Sequence, residues 1–239
     1  MRLVHISDLH VSGHNYVPEW GEKVLDTLSS MRPDIVIISG DLTDEGYPHE
    51  YDVARSYTDR IDVENKIVVP GNHDARNAGY SIFEEMFGTR FPYYENDDVA
   101  ILGLDSTEPD IDDGHIGREN YRTIEEKLSV RGKRRILALH HHLIAIPGTG
   151  RERNIAVDAG QVLRLCTQLG VDFTLSGHRH MPWVWRLEDT YFITAGTATS
   201  RRLKGRSHPS FNVMEIEGKR VILNEINVAD GSSREILRI

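Results

Sequence analysis

Asp34-Ile35-Val36-Ile37-Ile38-Ser39-Gly40-Asp41 is the stretch on which the fold turns. Four consecutive β-branched residues read as a short strand buried on both faces, as in a parallel sheet covered by helices. Gly40-Asp41 then ends the strand in a turn. Two similar runs flank it in the chain, Leu3 to Ser7 on one side and Ile67-Val68-Val69 on the other. Helical spacing fills the intervals. Glu19 to Met31 carries apolar residues at Trp20, Val24, Leu25 and Leu28, with Pro18 suited to the first turn, and His49 to Ile61 forms a second helix. Such a β-α-β-α-β alternation with right-handed crossovers makes the three strands parallel neighbours.

The pattern continues with helices at Tyr80 to Phe87, about Arg118 to Val130, and Val157 to Leu169, the last stopped by Gly170. Val99 to Leu104, Arg135 to Leu139 and Asp172 to Ser176 read as strands. After Met181 the character changes to consecutive strands with tight turns: Trp183 to Leu187, Thr190 to Thr194, Phe211 to Glu217 and Lys219 to Asn227, with a hairpin turn at Glu217-Gly218-Lys219. The C-terminal part is therefore expected to be antiparallel. With no linker, repeat or low-complexity segment, residues 1–239 read as one α/β domain of two packed sheets with helices outside. Its ligand site is expected at the carboxyl ends of the strands.

Bulk properties narrow the function. The chain has 239 residues, 39% hydrophobic and 27% charged, with a net charge of -9. That balance argues against a long nucleic-acid surface, which would be basic, but not against a small phosphorylated substrate held by cations. Cys166 is the one cysteine; it sits in a helical run, reads as a packed residue, and leaves no disulfide framework. The first strand starts at once, leaving no room for a signal peptide, and the longest uncharged stretch, Ile136 to Gly150, is too short to span a bilayer. A cytoplasmic protein without a membrane partner is expected.

Four polar clusters follow these strands: Asp8-Leu9-His10, Gly40-Asp41 with Asp44, Gly71-Asn72-His73-Asp74, and Gly177-His178-Arg179-His180. A triplet, His140-His141-His142, lies between the third and fourth. Asp8-x-His10 or Gly40-Asp41 alone could be a strand-end turn. The Gly-Asn-His-Asp quartet and the Gly-His-Arg-His quartet are far more specific. If the strands are neighbours in one sheet, their ends bring carboxylate, amide and imidazole groups to one point, enough for two metal ions.

This ordered set resembles the calcineurin-like metallophosphoesterase superfamily, whose pattern is D-x-H, GD-x-x-D, GNH-D/E, a histidine, then GH-x-H. The resemblance runs from Asp8 to His180 and implies a four-layer α/β/β/α sandwich, with the C-terminal strands forming its second sheet. It implies one metal on Asp8, His10, Asp41 and His180 and another on Asp41, Asn72, His140 and His178, with Asp41 bridging. Mixed oxygen and nitrogen ligands without thiolate suit manganese, iron, zinc or nickel. His73 is implied to protonate the leaving group or stabilise the phosphoryl oxygens, oriented by the Asp44 carboxylate. Asp74 would support the loop.

His140 is taken as the ligand because it comes first after its strand. His141 and His142 would support it or face substrate, and His142-Leu143 stand where relatives often carry two prolines. The implied reaction is in-line attack by a hydroxide bridging the ions. Lowering the pKa of water from about 15.7 to about 7 is worth on the order of 12 kcal/mol toward hydroxide formation. The Ile6-Ser7-Asp8-Leu9-His10 opening and Gly40-Asp41-Leu42-Thr43-Asp44 are most similar to the cyclic-nucleotide phosphodiesterase branch. The expected activity is hydrolysis of small phosphodiesters. Phosphomonoesterase or nuclease activity, and a scaffold without activity, are the alternatives.

Other features read more plainly. Arg131, Lys133, Arg134 and Arg135 form a solvated turn. Arg201, Arg202, Lys204 and Arg206 follow a loop, Gly196 to Ser200, that could approach the site; they are either solvated, or steer phosphate or make a subunit contact, so a homodimer is compatible. Arg151 and Arg153 could cap substrate. The acidic loop Asp105 to Gly117 is solvated or forms a rim that disfavours highly charged substrates. Trp183 and Trp185 read as packing residues, and His5 as a satisfied core residue.

Overall fold

The computed structural model describes residues 1–149 and 155–239; Arg151 and Arg153 lie outside them. Two six-stranded sheets stack face to face. The first contains β1 (Arg2–Ile6), β2 (Ile35–Ser39) and β3 (Asn65–Val69), parallel as expected, and is extended by β10 (Ser210–Glu217), β11 (Arg220–Asn227) and β12 (Ser233–Arg238) in the order β12-β11-β10-β1-β2-β3. The second is ordered β4-β5-β6-β7-β9-β8. It is built from β4 (Tyr93–Glu95), β5 (Val99–Gly103), β6 (Arg134–Ala138), β7 (Phe173–Ser176), β8 (Trp183–Leu187) and β9 (Thr190–Thr194).

Alternation along the strands explains the layers. Ile35 and Ile37 point between the sheets and pack with Leu3, Ile101, Ile136, Phe173 and Met214. Val36 and Ile38 point the other way, onto α1 (Pro18–Met31), α2 (Pro48–Asp59) and α3 (Gly79–Phe87). Leu102, Leu137 and Phe192 of the second sheet likewise meet α4 (Arg118–Leu128) and α5 (Ala159–Leu169). Every central strand is thus apolar on both faces, which is why Ile35–Ser39 carries no polar alternation. The result is the expected α/β/β/α sandwich.

Three expectations need correction. The C-terminal strands do not form a sheet of their own. The β8–β9 hairpin joins the second sheet, with β9 parallel to β7, while β10 to β12 run on from β1 in the first. The metal-type clusters do not come from one sheet either: three follow β1, β2 and β3, and two follow β6 and β7. They converge because the sheets are stacked with these carboxyl ends at a common edge. Finally, β4 and β12 are strands that went unread. β12 is an edge strand rich in charge, Ser233-Arg234-Glu235-Ile236-Leu237-Arg238, as edge strands exposed to water usually are. Among the described residues, no helix is long and apolar enough to cross a membrane.

Candidate metal centre

Each cluster begins where a buried strand stops abruptly, and the backbone there takes unusual conformations. Asp8, His10, Asp41, His178 and His180 all have positive φ, between 44° and 72°. Aspartate and histidine tolerate this region better than most residues, yet each instance still costs on the order of 1–3 kcal/mol. Five of them turn their side chains toward one place. Glycines make the approach feasible. Gly40 has φ of 91°, and a Cβ there would lie 2.7 Å from His140 Nδ1. A Cβ at Gly177 would collide with Ser7 Oγ and come within 2.5 Å of Asp8 Oδ2.

The imidazoles are pinned from behind. His140 Nδ1 donates to Ser39 O at 2.7 Å and His180 Nδ1 to Arg202 O at 2.6 Å. His10 Nδ1 faces two acceptors, Thr43 O at 3.2 Å and Asp44 Oδ1 at 3.3 Å. A carbonyl or carboxylate accepts only, so each Nδ1 carries the proton and each Nε2 presents its lone pair forward. Those forward atoms crowd together: His10 Nε2 and His180 Nε2 are 3.2 Å apart, His180 Nε2 lies 3.2 Å from Asp8 Oδ1, and His10 Nε2 lies 3.7 Å from Asp41 Oδ2. Ligand atoms of Asp8, His10, Asp41 and His180 all lie within 4.8 Å of one another, and all four residues are buried. Four acceptor atoms in a dry pocket repel unless positive charge sits among them, so the donor set fits a cation.

A second group adjoins it. Asn72 Oδ1 lies 3.1 Å from His140 Nε2 and 2.9 Å from His178 Nδ1, and Asp41 Oδ1 lies 3.4 Å from His140 Nε2. Asp41 therefore shows one oxygen to each group. Asn72 Nδ2 donates to Asp112 Oδ1 at 3.0 Å, which fixes the amide with its oxygen toward the histidines.

The charges respond accordingly. Burial pushes Asp41 up, but His140, His73 and His10 outweigh it and hold the carboxyl well below its usual range. Burial alone would lower His140, yet the Asp41 charge lifts it to about 9, so that with no cation between them the ring itself takes the positive charge. Burial holds His10 and His178 down, leaving neutral imidazoles able to ligate.

Asp74 supports the loops as expected. Its carboxylate accepts from Gly71 N at 2.8 Å, Leu42 N at 3.1 Å, Thr43 N at 2.8 Å and Thr43 Oγ1 at 2.9 Å, tying the turns after β2 and β3 together. Burial and the Asp41 charge push it up to about 6, while those donors pull it down. Surroundings that only donate keep it a carboxylate at neutral pH. Asp74→Asn would turn an amide NH₂ against these donors and is expected to cost about 3 kcal/mol. The measurement is the denaturant midpoint at constant m-value; an unchanged midpoint would contradict the role.

His73 sits beside both groups. Its backbone N–H donates to Asp41 Oδ1 at 3.0 Å, and its ring lies edge-on to His10 at 4.8 Å. Its orientation differs from expectation. Nδ1 donates to the backbone carbonyl of Asp44 at 2.5 Å, whereas the Asp44 carboxylate is 3.9 Å away. That carboxylate instead faces His10 and Arg202, and the His10 contact first among several causes lowers it to about 2.

Two contributors had no sequence pattern of their own. Arg202 reaches His73 Nε2 at 3.3 Å and Asp44 Oδ1 at 3.2 Å, so the basic run after β9 does enter the site. The loop before it is anchored there as well, with Thr197 Oγ1 donating to Asp8 O at 2.6 Å. Asp112 belongs to the acidic loop but binds Asn72 and Arg76 rather than only water. Together, Asp41, Asn72, His73, Asp112, His180 and Arg202 border a cleft of about 330 Å³.

His141 is buried between Ser106 Oγ at 2.9 Å and Asp112 O at 3.2 Å, and so supports the loops. His142 stacks on His178 with centroids 5.8 Å apart. The remaining readings stand as follows. Cys166 is buried and its thiol is pushed up to about 12 by burial. His5 is a core residue but only half satisfied: Nε2 hydrogen-bonds Ser39 Oγ at 2.8 Å, and Nδ1 is buried without a partner among the described residues. The basic turn is tied down, Lys133 by Glu95 and Arg134 by Asp172. Trp185 is part-exposed and donates to Ala145 O at 3.0 Å.

Comparison with known proteins agrees with this geometry. A family model for calcineurin-like phosphoesterases matches residues 1–182. A Synechococcus sp. protein named as a probable cyclic nucleotide phosphodiesterase is 26% identical over 162 residues, 67% of this chain and 63% of its own length. A glycerophosphodiester phosphodiesterase from Enterobacter lignolyticus is 28% identical over 183 residues, 68% of this chain and 64% of its own. The chain thus spans less than two thirds of the length of these curated relatives. Among solved structures, a purple acid phosphatase from yellow lupin superposes with a TM-score of 0.76 at 16% identity, covering 98% of this chain and 52% of that one, a likeness of fold.

Proposed function

The chain belongs to the calcineurin-like phosphoesterase family, and from that premise we propose that it is a metal-dependent phosphodiesterase acting on small phosphodiesters. The observation that carries the reading is the pair of buried, inward-facing Nε2 atoms of His10 and His180, 3.2 Å apart, each with its Nδ1 proton committed to a carbonyl. We assign one divalent cation to Asp8, His10, Asp41 and His180 and a second to Asp41, Asn72, His140 and His178. Bound there, two such cations supply positive charge to the non-bridging phosphoryl oxygens and acidify water for attack at neutral pH.

The chain's own residues supply position and exclusion. His178 N–H holds both oxygens of Asp8 at 3.1 Å, and the Asp112–Asn72 bond fixes the amide. His73 and Arg202 border the open side, where the scissile phosphoryl group would enter. A small substrate is favoured over a large one because the cleft is small, about 330 Å³, at the low end of small-molecule sites. Relatives named for cyclic nucleotides and glycerophosphodiesters support the same class.

The test is hydrolysis by purified protein with manganese, iron, zinc or nickel added. Bis-para-nitrophenyl phosphate, cyclic nucleotides and glycerophosphodiesters are expected to turn over faster than para-nitrophenyl phosphate or oligonucleotides. A monoester or oligonucleotide preference would reassign the reaction within the family. No turnover of any of them with any metal would favour a binding scaffold.

A further inference from the structure

We propose that Arg202 is a substrate-contacting residue of this site: its guanidinium binds a non-bridging phosphoryl oxygen, and His73 with Asp44 are its mount. The inference rests on the phosphoesterase reading above and deepens it.

The geometry is asymmetric in a telling way. Both site contacts of the guanidinium are made through one nitrogen, Nη1, at 3.3 Å from His73 Nε2 and 3.2 Å from Asp44 Oδ1. Among the described residues, neither Nη2 nor Nε meets a hydrogen-bond acceptor. An arginine carries five N–H donors in a planar fork, so several remain for a ligand. The side chain is one-third exposed, on the border of the cleft beside Asp41, Asn72 and His180. A cation that needed only charge neutralisation would use its fork on the Asp44 carboxylate in a bidentate pair. Arg202 instead touches that carboxylate at one point and leaves the rest of the fork uncommitted.

His73 reads differently once Arg202 is considered. Guanidinium can only donate, so His73 Nε2 accepts, and its one proton lies on Nδ1, bonded to Asp44 O at 2.5 Å. Both faces of the ring's hydrogen bonding are thereby spent on holding Arg202 and the Asp44 turn. The Asp44 carboxylate completes the mount and reaches His10 Nδ1 with the same oxygen. The backbone of Arg202 is a separate anchor, since its carbonyl accepts from His180 Nδ1 at 2.6 Å. Altering the side chain therefore leaves the bond that orients a metal ligand in place. The next residues of the segment, Leu203 and Lys204, border the same cleft, so a second positive charge stands near where an anionic substrate would arrive.

The test uses the full chain as Arg202→Ala and Arg202→Lys, each checked for metal content. Two readouts are taken: inorganic phosphate binding to metal-loaded protein by calorimetry, and kcat and KM on bis-para-nitrophenyl phosphate. Arg202→Ala is expected to keep wild-type metal content, bind phosphate at least tenfold more weakly, and lose about 10²–10³-fold in kcat/KM, the usual effect of removing one transition-state donor. Arg202→Lys is expected to recover only part, because an ammonium is a point charge without the fork. Added guanidinium chloride at millimolar concentration is expected to restore activity to Arg202→Ala and not to the wild type. A purely structural role would show neither rescue nor a change in phosphate affinity. Wild-type phosphate affinity in Arg202→Ala, or no phosphate binding by the wild type, overturns the proposal. An inactive wild type that still binds phosphate through Arg202 would overturn the enzymatic reading and leave this one standing.

Discussion

Replacing Asp41 with alanine is expected to strip the protein of both divalent ions at once. The two carboxylate oxygens face different groups: Oδ2 lies 3.7 Å from His10 Nε2 and Oδ1 lies 3.4 Å from His140 Nε2. Without that shared carboxylate each site would be left with three ligands and less negative charge. Turnover should fall by more than about 10⁴-fold, because the acidification of water worth on the order of 12 kcal/mol is lost with the cations. Asp41 is also an acceptor for the His73 N–H at 3.0 Å, so the loop after β3 loses a tether. Asp41→Asn keeps the size and one acceptor and serves as the control for folding. Metal analysis after dialysis, with circular dichroism to check the fold, reads the result. Two ions still tightly held by a folded Asp41→Ala protein would refute the bridge.

The second large effect is expected at His73. His73→Ala should retain both ions, since its Nδ1 bonds Asp44 O and its Nε2 meets Arg202, and should slow turnover by roughly 10²–10³-fold, the effect of losing one transition-state donor that the ring holds in place. The structure adds a finer expectation. With its proton on Nδ1 and Arg202 at Nε2, His73 has no proton aimed at the cleft. The loss should therefore be similar for a nitrophenyl ester and for an alkyl ester. A loss confined to the alkyl ester, whose leaving oxygen needs a proton, would restore the role of general acid. Unchanged rates with both would remove His73 from the mechanism.

Much of this was legible in the sequence because it is local. The buried runs before Asp8, Gly40 and Gly71 carry their own signal, and β2 was read to within one residue at its start. The helix after Pro18 and the stop at Gly170, whose φ is 63°, are written in single residues. The polar clusters that converge were legible for the same reason: each lies immediately past a strand. What was not legible depends on partners far apart in the chain. Nothing in Phe211 to Asn227 distinguishes pairing with β1 from a sheet of its own, because an apolar strand fits either. Arg202 lies 129 residues from His73, in a run of basic residues of which Arg201 and Arg206 face solvent. Asp112 is as exposed as Asp110 and Asp113, so its bonds to Asn72 and Arg76 leave no mark in a run of acids. The motif gives residue types and not which oxygen meets which ring, so it did not show that the Asp44 carboxylate lies nearer His10, at 3.3 Å, than His73, at 3.9 Å.

Manganese anomalous diffraction from crystals grown with the metal in excess tests the heart of the matter. Two anomalous peaks are expected, one among Asp8, His10, Asp41 and His180 and one among Asp41, Asn72, His140 and His178, each in contact with a different oxygen of Asp41. A single peak, or peaks that leave Asp41 untouched, would contradict it.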